Sequence, residues 1–266
     1  MIRDITLGQY YPAESVLHRL DPRVKLSGTL LYVISLFLFQ SFAGYAVATV
    51  FLVTVIVLSH VPVSFMLRGL KAIFILLIFT AVLNIFLTPG RELVSFWKIT
   101  ITIEGLRVAA FMVLRLVYLI VGSSVMTLTT TPSNLTDGLE KGLGWLKFFR
   151  IPVHEIAMMM SIALTFIPVL LEETDKIIKA QQARGADFES GNIIRRAKAL
   201  VPILVPLFVS AFRRANDLAI AMESRCYRGG EGRTKMRPLR YTGRDYAAYS
   251  VLIVYLAAII AVGILF

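Results

Sequence analysis

Two arginines stand in matching settings. Residues 181–187 read Gln181-Gln182-Ala183-Arg184-Gly185-Ala186-Asp187, and residues 221–227 read Ala221-Met222-Glu223-Ser224-Arg225-Cys226-Tyr227. Each puts an arginine between two small residues at the end of a helix-forming stretch. A guanidinium presents a planar fork of N–H donors that suits carboxylates and carbonyls. The chemistry open to Ala183, Arg184, Gly185 and to Ser224, Arg225, Cys226 is therefore recognition, an arginine tip entering a neighbour's groove. Each segment taken singly also reads as an ordinary helix ending, with a cation at the negative end of the dipole and a small residue as cap. Its repetition on two neighbouring helices brings the docking reading level with that one, and both stay open.

Other chemistry is sparse. His154-Glu155 opens like a zinc-binding H-E-x-x-H, but Met158 occupies the place of the second histidine. No G-x-x-x-x-G-K-[ST] is present to cradle a nucleotide, and no G-x-S-x-G to seat a nucleophile. The single cysteine, Cys226, excludes an intramolecular disulfide and a Cys-rich metal site. Met158-Met159-Met160 reads either as flexible core filler or as a plastic docking surface.

The elements that carry these residues follow from composition. The 266 residues are 57% hydrophobic and 17% charged, against about a quarter charged in soluble domains, so lipid must solvate much of the surface. Five apolar runs approach the ~20 residues that span a bilayer: Leu26–Phe39, Tyr45–His60, Leu70–Leu87, Val108–Leu128 and Tyr246–Phe266. No cleavable signal peptide is visible ahead of the first run. None of the first four carries Asp or Glu at its centre, which argues against a proton or cation path. Arg115, inside the fourth run, has two readings: snorkelling or pairing within the bundle, or a substrate contact.

The net charge of +11 comes from basic residues gathered between the apolar runs. That pattern fits an anionic cytoplasmic leaflet rather than nucleic acid. Arg3, Arg19, Arg23 and Lys25 precede the first run, and Arg68 and Lys71 separate the second from the third, which puts the N-terminus inside. Between the third and fourth runs, Phe96–Ile103 alternates aromatic and β-branched residues and predicts a short strand or hairpin.

Residues 151–171 and 200–212 are also apolar. Were the first a span, Lys176, Lys179, Arg184, Arg195, Arg196 and Lys198 would lie outside; the second is short and closed by Arg213-Arg214. Both carry helical stripes instead. In the first, Ala163, Ile167, Leu170, Leu171, Ile177 and Ile178 share a face, with Glu172, Glu173, Asp175, Lys176 and Lys179 mostly opposite. In the second, Leu200, Ile203, Leu204, Leu207, Phe208, Ala211, Ala215, Leu218 and Met222 align. A shorter helix near Pro132–Gly142 precedes them, with Thr131 or Ser133 at its cap. The expected fold is an all-α polytopic membrane protein, with about five transmembrane helices and long cytoplasmic amphipathic helices. Its parts are a four-span bundle over 1–129, a cytoplasmic domain over 130–245 and a last span over 246–266.

On these residues the chain resembles the T component of energy-coupling factor transporters (EcfT, in the CbiQ-like superfamily). Ser15-Val16-Leu17-His18-Arg19-Leu20-Asp21-Pro22-Arg23-Val24-Lys25-Leu26 is similar to that family's N-terminal signature. Residues 180–187 and 221–235 are similar to its two Ala-Arg-Gly-type motifs, with Ser224 and Cys226 departing from the commoner Ala and Gly. The resemblance implies a non-catalytic scaffold and transducer in a bacterial cell membrane. It implies that two ABC-type ATPases (EcfA and EcfA′) receive Arg184 and Arg225 in their grooves and bind the ATP, so that this chain needs no cofactor or metal. It also implies a substrate-binding S component beside the chain, reoriented by the coupling helices to release a vitamin or micronutrient. The alternatives are the T-type subunit of a dedicated cobalt or nickel importer, a stand-alone carrier, and a membrane-embedded lipid enzyme. Against the carrier stands the lack of an internal repeat, and against the enzyme the missing acid–base constellation.

Overall fold

A computed structural model describes residues 10–39, 41–96, 99–186, 188, 192–230, 236 and 238–265. Arg3, Trp97-Lys98, Asp187, residues 231–235 and Phe266 lie outside them. Helices α1 (Pro22–Leu38), α2 (Phe42–Ser59) and α3 (Val63–Leu87) are followed by strands β1 (Glu92–Phe96) and β2 (Ile99–Thr102). Then come α4 (Ile103–Thr129), α5 (Pro132–Gly142), a 3-10 turn over Gly144–Phe149, α6 (Val153–Ala183), α7 (Ile193–Ser224) and α8 (Gly243–Leu265). Apart from the antiparallel hairpin β1–β2, the chain is an all-α polytopic membrane protein. It divides into two compact units, Leu143–Pro238 and Gly8–Gly142 with Leu239–Phe266.

Helix starts follow local chemistry. Asp21 caps α1, with Pro22 at the first helical position where no N–H is needed. Ser41 Oγ accepts from Gly44 N–H at 3.3 Å and Thr102 Oγ1 from Gly105 N–H at 3.0 Å, opening α2 and α4. Thr131 Oγ1 accepts from Asn134 N–H at 3.3 Å, so it is Thr131 that caps α5.

Five helices are long and apolar enough to cross a membrane: Phe42–Ser59, Ile103–Thr129, Val153–Ala183, Lys198–Ser224 and Gly243–Ile264. A sixth would be α3, bent by 62° between Lys71 and Ile73. The set differs from the five apolar runs. With 17 residues, α1 reaches only about 26 Å at 1.5 Å per residue, short of the ~30 Å hydrocarbon thickness. Length and composition admit α6 and most of α7, because neither measure sees where on the helix the charges fall.

In the larger unit α1, α2, α4 and α8 pack around aromatic side chains. The Phe51 and Tyr255 rings stack with centroids 4.1 Å apart, and Tyr32 lies 5.8 Å from Phe51. Polar tips inside this core are matched, as hydrocarbon demands. Tyr255 and Ser35 hydroxyls pair at 2.7 Å, those of Tyr118 and Thr49 at 2.6 Å, and Tyr45 donates to the Phe111 carbonyl at 3.1 Å. Arg115 Nη2 reaches the Phe39 carbonyl at 3.5 Å, with its guanidinium 5.3 Å from the Phe37 ring centre. The cation thus meets the negative end of α1, which is pairing inside the bundle.

The segment Ser15–Leu26 works as a clamp. Ser15 Oγ and His18 Nδ1 pair at 2.7 Å, and His18 Nε2 bonds the Tyr11 carbonyl at 3.0 Å. Burial of the His18 ring holds its pKa below the ordinary value. Asp21 takes Arg23 through backbone N–H, Nε and Nη2 at 2.9–3.1 Å, and the Arg23 guanidinium lies 4.0 Å over the Tyr241 ring. Asp21 N–H donates to Asp245 Oδ1 at 2.8 Å, while Thr242 N–H and Oγ1–H donate to Asp245 Oδ2 at 2.7 and 2.8 Å. Lys25 Nζ donates to the Thr129 carbonyl at 2.8 Å. The starts of α1 and α8 and the end of α4 are thereby tied together. Asp245 is 1% exposed, so Asp245→Ala leaves buried donors unmatched. Thermal unfolding in detergent should then show a loss of about 1–3 kcal/mol, several-fold more than for the exposed, paired Glu14→Ala.

Candidate docking site

The smaller unit is built on α6 and α7, which run antiparallel. Gln181 Nε2, near the end of α6, donates to the Pro202 carbonyl near the start of α7 at 3.4 Å. One helical stretch earlier, Glu173 accepts from Ser210 Oγ–H, and Arg214 Nη2 pairs with Glu173 Oε2 at 2.8 Å. Glu173 had been expected among the polar residues opposite the apolar face; instead it reaches across and fixes the register of the two helices. The α7 stripe also divides. Ile203 is buried and Leu207, Ala211 and Leu218 half-buried, whereas Leu204, Phe208, Val209 and Phe212 are exposed. Helix α7 therefore has two apolar faces, of which one is open.

Both arginines occupy the C-cap position of their helices, and the two ends share one backbone pattern. At α6, Gly185 N–H donates to the Gln182 carbonyl at 2.9 Å and Ala186 N–H to the Gln181 carbonyl at 3.0 Å. At α7, Cys226 N–H donates to the Glu223 carbonyl at 2.8 Å and Tyr227 N–H to the Met222 carbonyl at 3.0 Å. These are paired 6→1 and 5→2 bonds, a Schellman motif at each end. It requires a left-handed residue just after the arginine. Gly185 has φ +87°, and Cys226 takes the same role at φ +56°. The departure from glycine at Cys226 therefore leaves the local backbone path unchanged and places strain there.

Ala183, Arg184, Gly185, Ser224, Arg225 and Cys226 are all exposed. Because the helices are antiparallel, their C-terminal tips point to opposite ends of the pair. From the Glu173–Ser210 level, Arg184 is eleven residues along α6 and Arg225 fifteen along α7, which at 1.5 Å per residue separates the tips by roughly 35–40 Å. Among the described residues no group of three His, Cys, Asp or Glu side chains lies close enough to hold a metal ion. Sequence reasoning located both arginines and missed Glu173 and Asp245, whose roles depend on partners 37 and 224 residues away.

With Cys226 and Gly185 both left-handed, Cys226→Gly relieves strain and should raise stability by about 1 kcal/mol, while Gly185→Ala should lower it by about the same amount. Thermal unfolding of the two variants in detergent checks both signs.

The model of the CbiQ family, described as cobalt transport protein, matches residues 13–236. The energy-coupling factor transporter transmembrane protein EcfT of Clostridium kluyveri is 57% identical over 250 residues, covering 93% of each chain. That of Thermosediminibacter oceani is 55% identical over 93% of this chain and 94% of its own, and that of Bacillus subtilis 49% identical over 97% of both. With the match running from the N-terminal clamp through both arginine-bearing helix ends, the chain belongs to the CbiQ family, among the energy-coupling factor transporter transmembrane proteins.

Proposed function

We propose that this chain is the scaffold and transducer of an energy-coupling factor importer in a bacterial cell membrane. In this reading two ABC-type ATPases each take one arginine tip, Arg184 or Arg225, and bind and hydrolyse the ATP. The chain itself is non-catalytic and carries no cofactor. The observation that supports this most is the pair of like arginine-bearing helix ends at opposite ends of one antiparallel hairpin. Two equivalent tips that far apart suit two like partners.

The reading needs α6 and α7 on the cytoplasmic side, with the N-terminus also inside. Two physical arguments favour that orientation over two spans. Arg213 and Arg214 fall near the middle of Lys198–Ser224, where each would cost about 2.5–3.5 kcal/mol in hydrocarbon. The end of α6, the connection after it and the start of α7, with Lys179, Arg184, Arg195, Arg196 and Lys198, would moreover be exported against the positive-inside bias. The exposed apolar face of α7, Leu204, Phe208, Val209 and Phe212, then suits a membrane-embedded S component that selects a vitamin or micronutrient. A shift in the hairpin driven by the ATPases would pass to that component through the same helices. The family's description as cobalt transport supports a second reading, the T-type subunit of a dedicated metal importer. The S component that co-purifies distinguishes the two.

Arg184→Ala and Arg225→Ala should each weaken ATPase binding at least tenfold in a detergent pull-down, as a buried arginine anchor does at an interface. The double variant should lose ATP-driven uptake in reconstituted vesicles while unfolding at the wild-type temperature. Full uptake by the double variant would refute the docking scheme.

A further inference from the structure

The larger unit holds a cavity of about 340 Å³ between the inner ends of α1, α2, α4 and α8, within the size range of small-molecule pockets. Its wall is apolar: Tyr32, Phe51, Leu52, Val125, Leu252 and neighbours. Apart from Thr29 and the Tyr32 hydroxyl, the polar groups gather at one end, where Lys25, Thr129 and Arg244 form a rim. From Lys25 to Tyr32 along α1, and from Arg244 to Leu252 along α8, is about 10–12 Å of helix. The cavity thus runs from the level where α1 and α8 begin to a depth of most of one leaflet, ~15 Å of a ~30 Å core.

Gly28 makes the void a feature of the sequence. It lies within α1, where glycine costs roughly 1 kcal/mol against alanine, and a Cβ built on it would meet nothing within 4 Å. Gly122, on the opposite wall, has the Tyr32 ring packed directly on its backbone, so the floor is closed while the space over Gly28 stays open.

The charge at the rim points to the occupant. The two carboxylates nearby are already committed, Asp21 to Arg23 and Asp245 to the Asp21 N–H and Thr242. Lys25, 9% exposed, gives two of its three donors to the Thr129 and His18 carbonyls, at 2.8 and 3.4 Å. Arg244 is exposed beside it. The uncommitted charge is positive, above an apolar slot one leaflet deep.

We propose that this cavity is a binding site for an anionic phospholipid, with one acyl chain over Gly28 and the phosphate between Lys25 and Arg244. The site shares no residue with the arginine tips, so its test is independent of ATPase docking.

The test uses the full chain in detergent, with native mass spectrometry in dioleoylphosphatidylglycerol or dioleoylphosphatidylcholine. The wild type should retain one phosphatidylglycerol at least tenfold better than phosphatidylcholine. Gly28→Leu should abolish that retention without lowering the unfolding temperature, and Arg244→Gln should remove the preference for the anionic lipid. Should Gly28→Leu fail to fold, phosphatidylglycerol with a mid-chain diazirine, applied to the wild type, should label Gly28–Tyr32 and Gly122–Met126. Equal retention of the two lipids, unchanged retention by a folded Gly28→Leu, a co-purifying protein segment in the cavity, or label spread evenly over the outer faces of α2 and α8 would each overturn the proposal.

Discussion

Two long helices packed antiparallel present their C-termini at opposite ends, and the functional reading of this chain depends on that constraint. Helix C-termini carry partial negative charge and unpaired carbonyls, so an arginine there is stabilised locally and remains free to project. The Glu173 contacts with Ser210 and Arg214 prevent the pair from sliding. A slip of one turn would carry one tip ~5 Å relative to the other and break the only ion pair joining the helices among the described residues. The same register turns one apolar face of α7 inward and leaves the other open, so that an arginine-bearing tip and an exposed apolar surface occur on one element.

The membrane bundle obeys a different constraint. Hydrocarbon offers no partner to a polar group, so every hydroxyl and charge within it needs one from the protein. Tyrosines, serines and threonines on α1, α2, α4 and α8 meet that demand pairwise. Apart from Arg115 within α4, which meets the C-terminal end of α1, the charged residues of α1, α4 and α8 lie near helix ends, where Lys25, Asp21 and Asp245 bind the starts of α1 and α8 to the end of α4. Most of the family-like signature Ser15–Leu26 is thereby explained as structural: Ser15, His18, Asp21, Arg23 and Lys25 all bond within this clamp. The rim of the lipid-sized cavity is built from the same clamp, using the donors it leaves over.

Much of this was legible in the sequence because the signals were local. The helix cap at Thr131, the hairpin before α4 and the small-Arg-small endings of α6 and α7 each depend on a few neighbouring residues. Spans were less legible. An apolar run shows neither how far a helix extends past it nor where it stops short: the run Leu26–Phe39 begins four residues after α1 does, at Pro22. Long-range partners were invisible: Glu173 falls among the polar residues of α6 in the sequence pattern, and nothing near Asp245 in the sequence points to its bond with the Asp21 N–H, 224 residues away. Cys226 departs from the commoner glycine in the sequence pattern, yet hydrogen bonds from its own and the next N–H hold it in the same left-handed turn. The domain boundary drawn at 129/130 likewise groups α5 with the helices that follow, while in the structure α5 belongs to the larger unit.

The separation of the two arginine tips tests the central claim most directly. Cys226 is the sole cysteine and is exposed, so one spin label can be placed there without further change. A second follows from Gln182→Cys, an exposed position one turn from Gly185. Pulsed dipolar spectroscopy on the full chain in lipid nanodiscs should give a single distance near 35–40 Å, the value set by an antiparallel pair in the Glu173 register. A distance below about 25 Å would mean that the tips lie side by side, contradicting the arrangement on which two-partner docking rests.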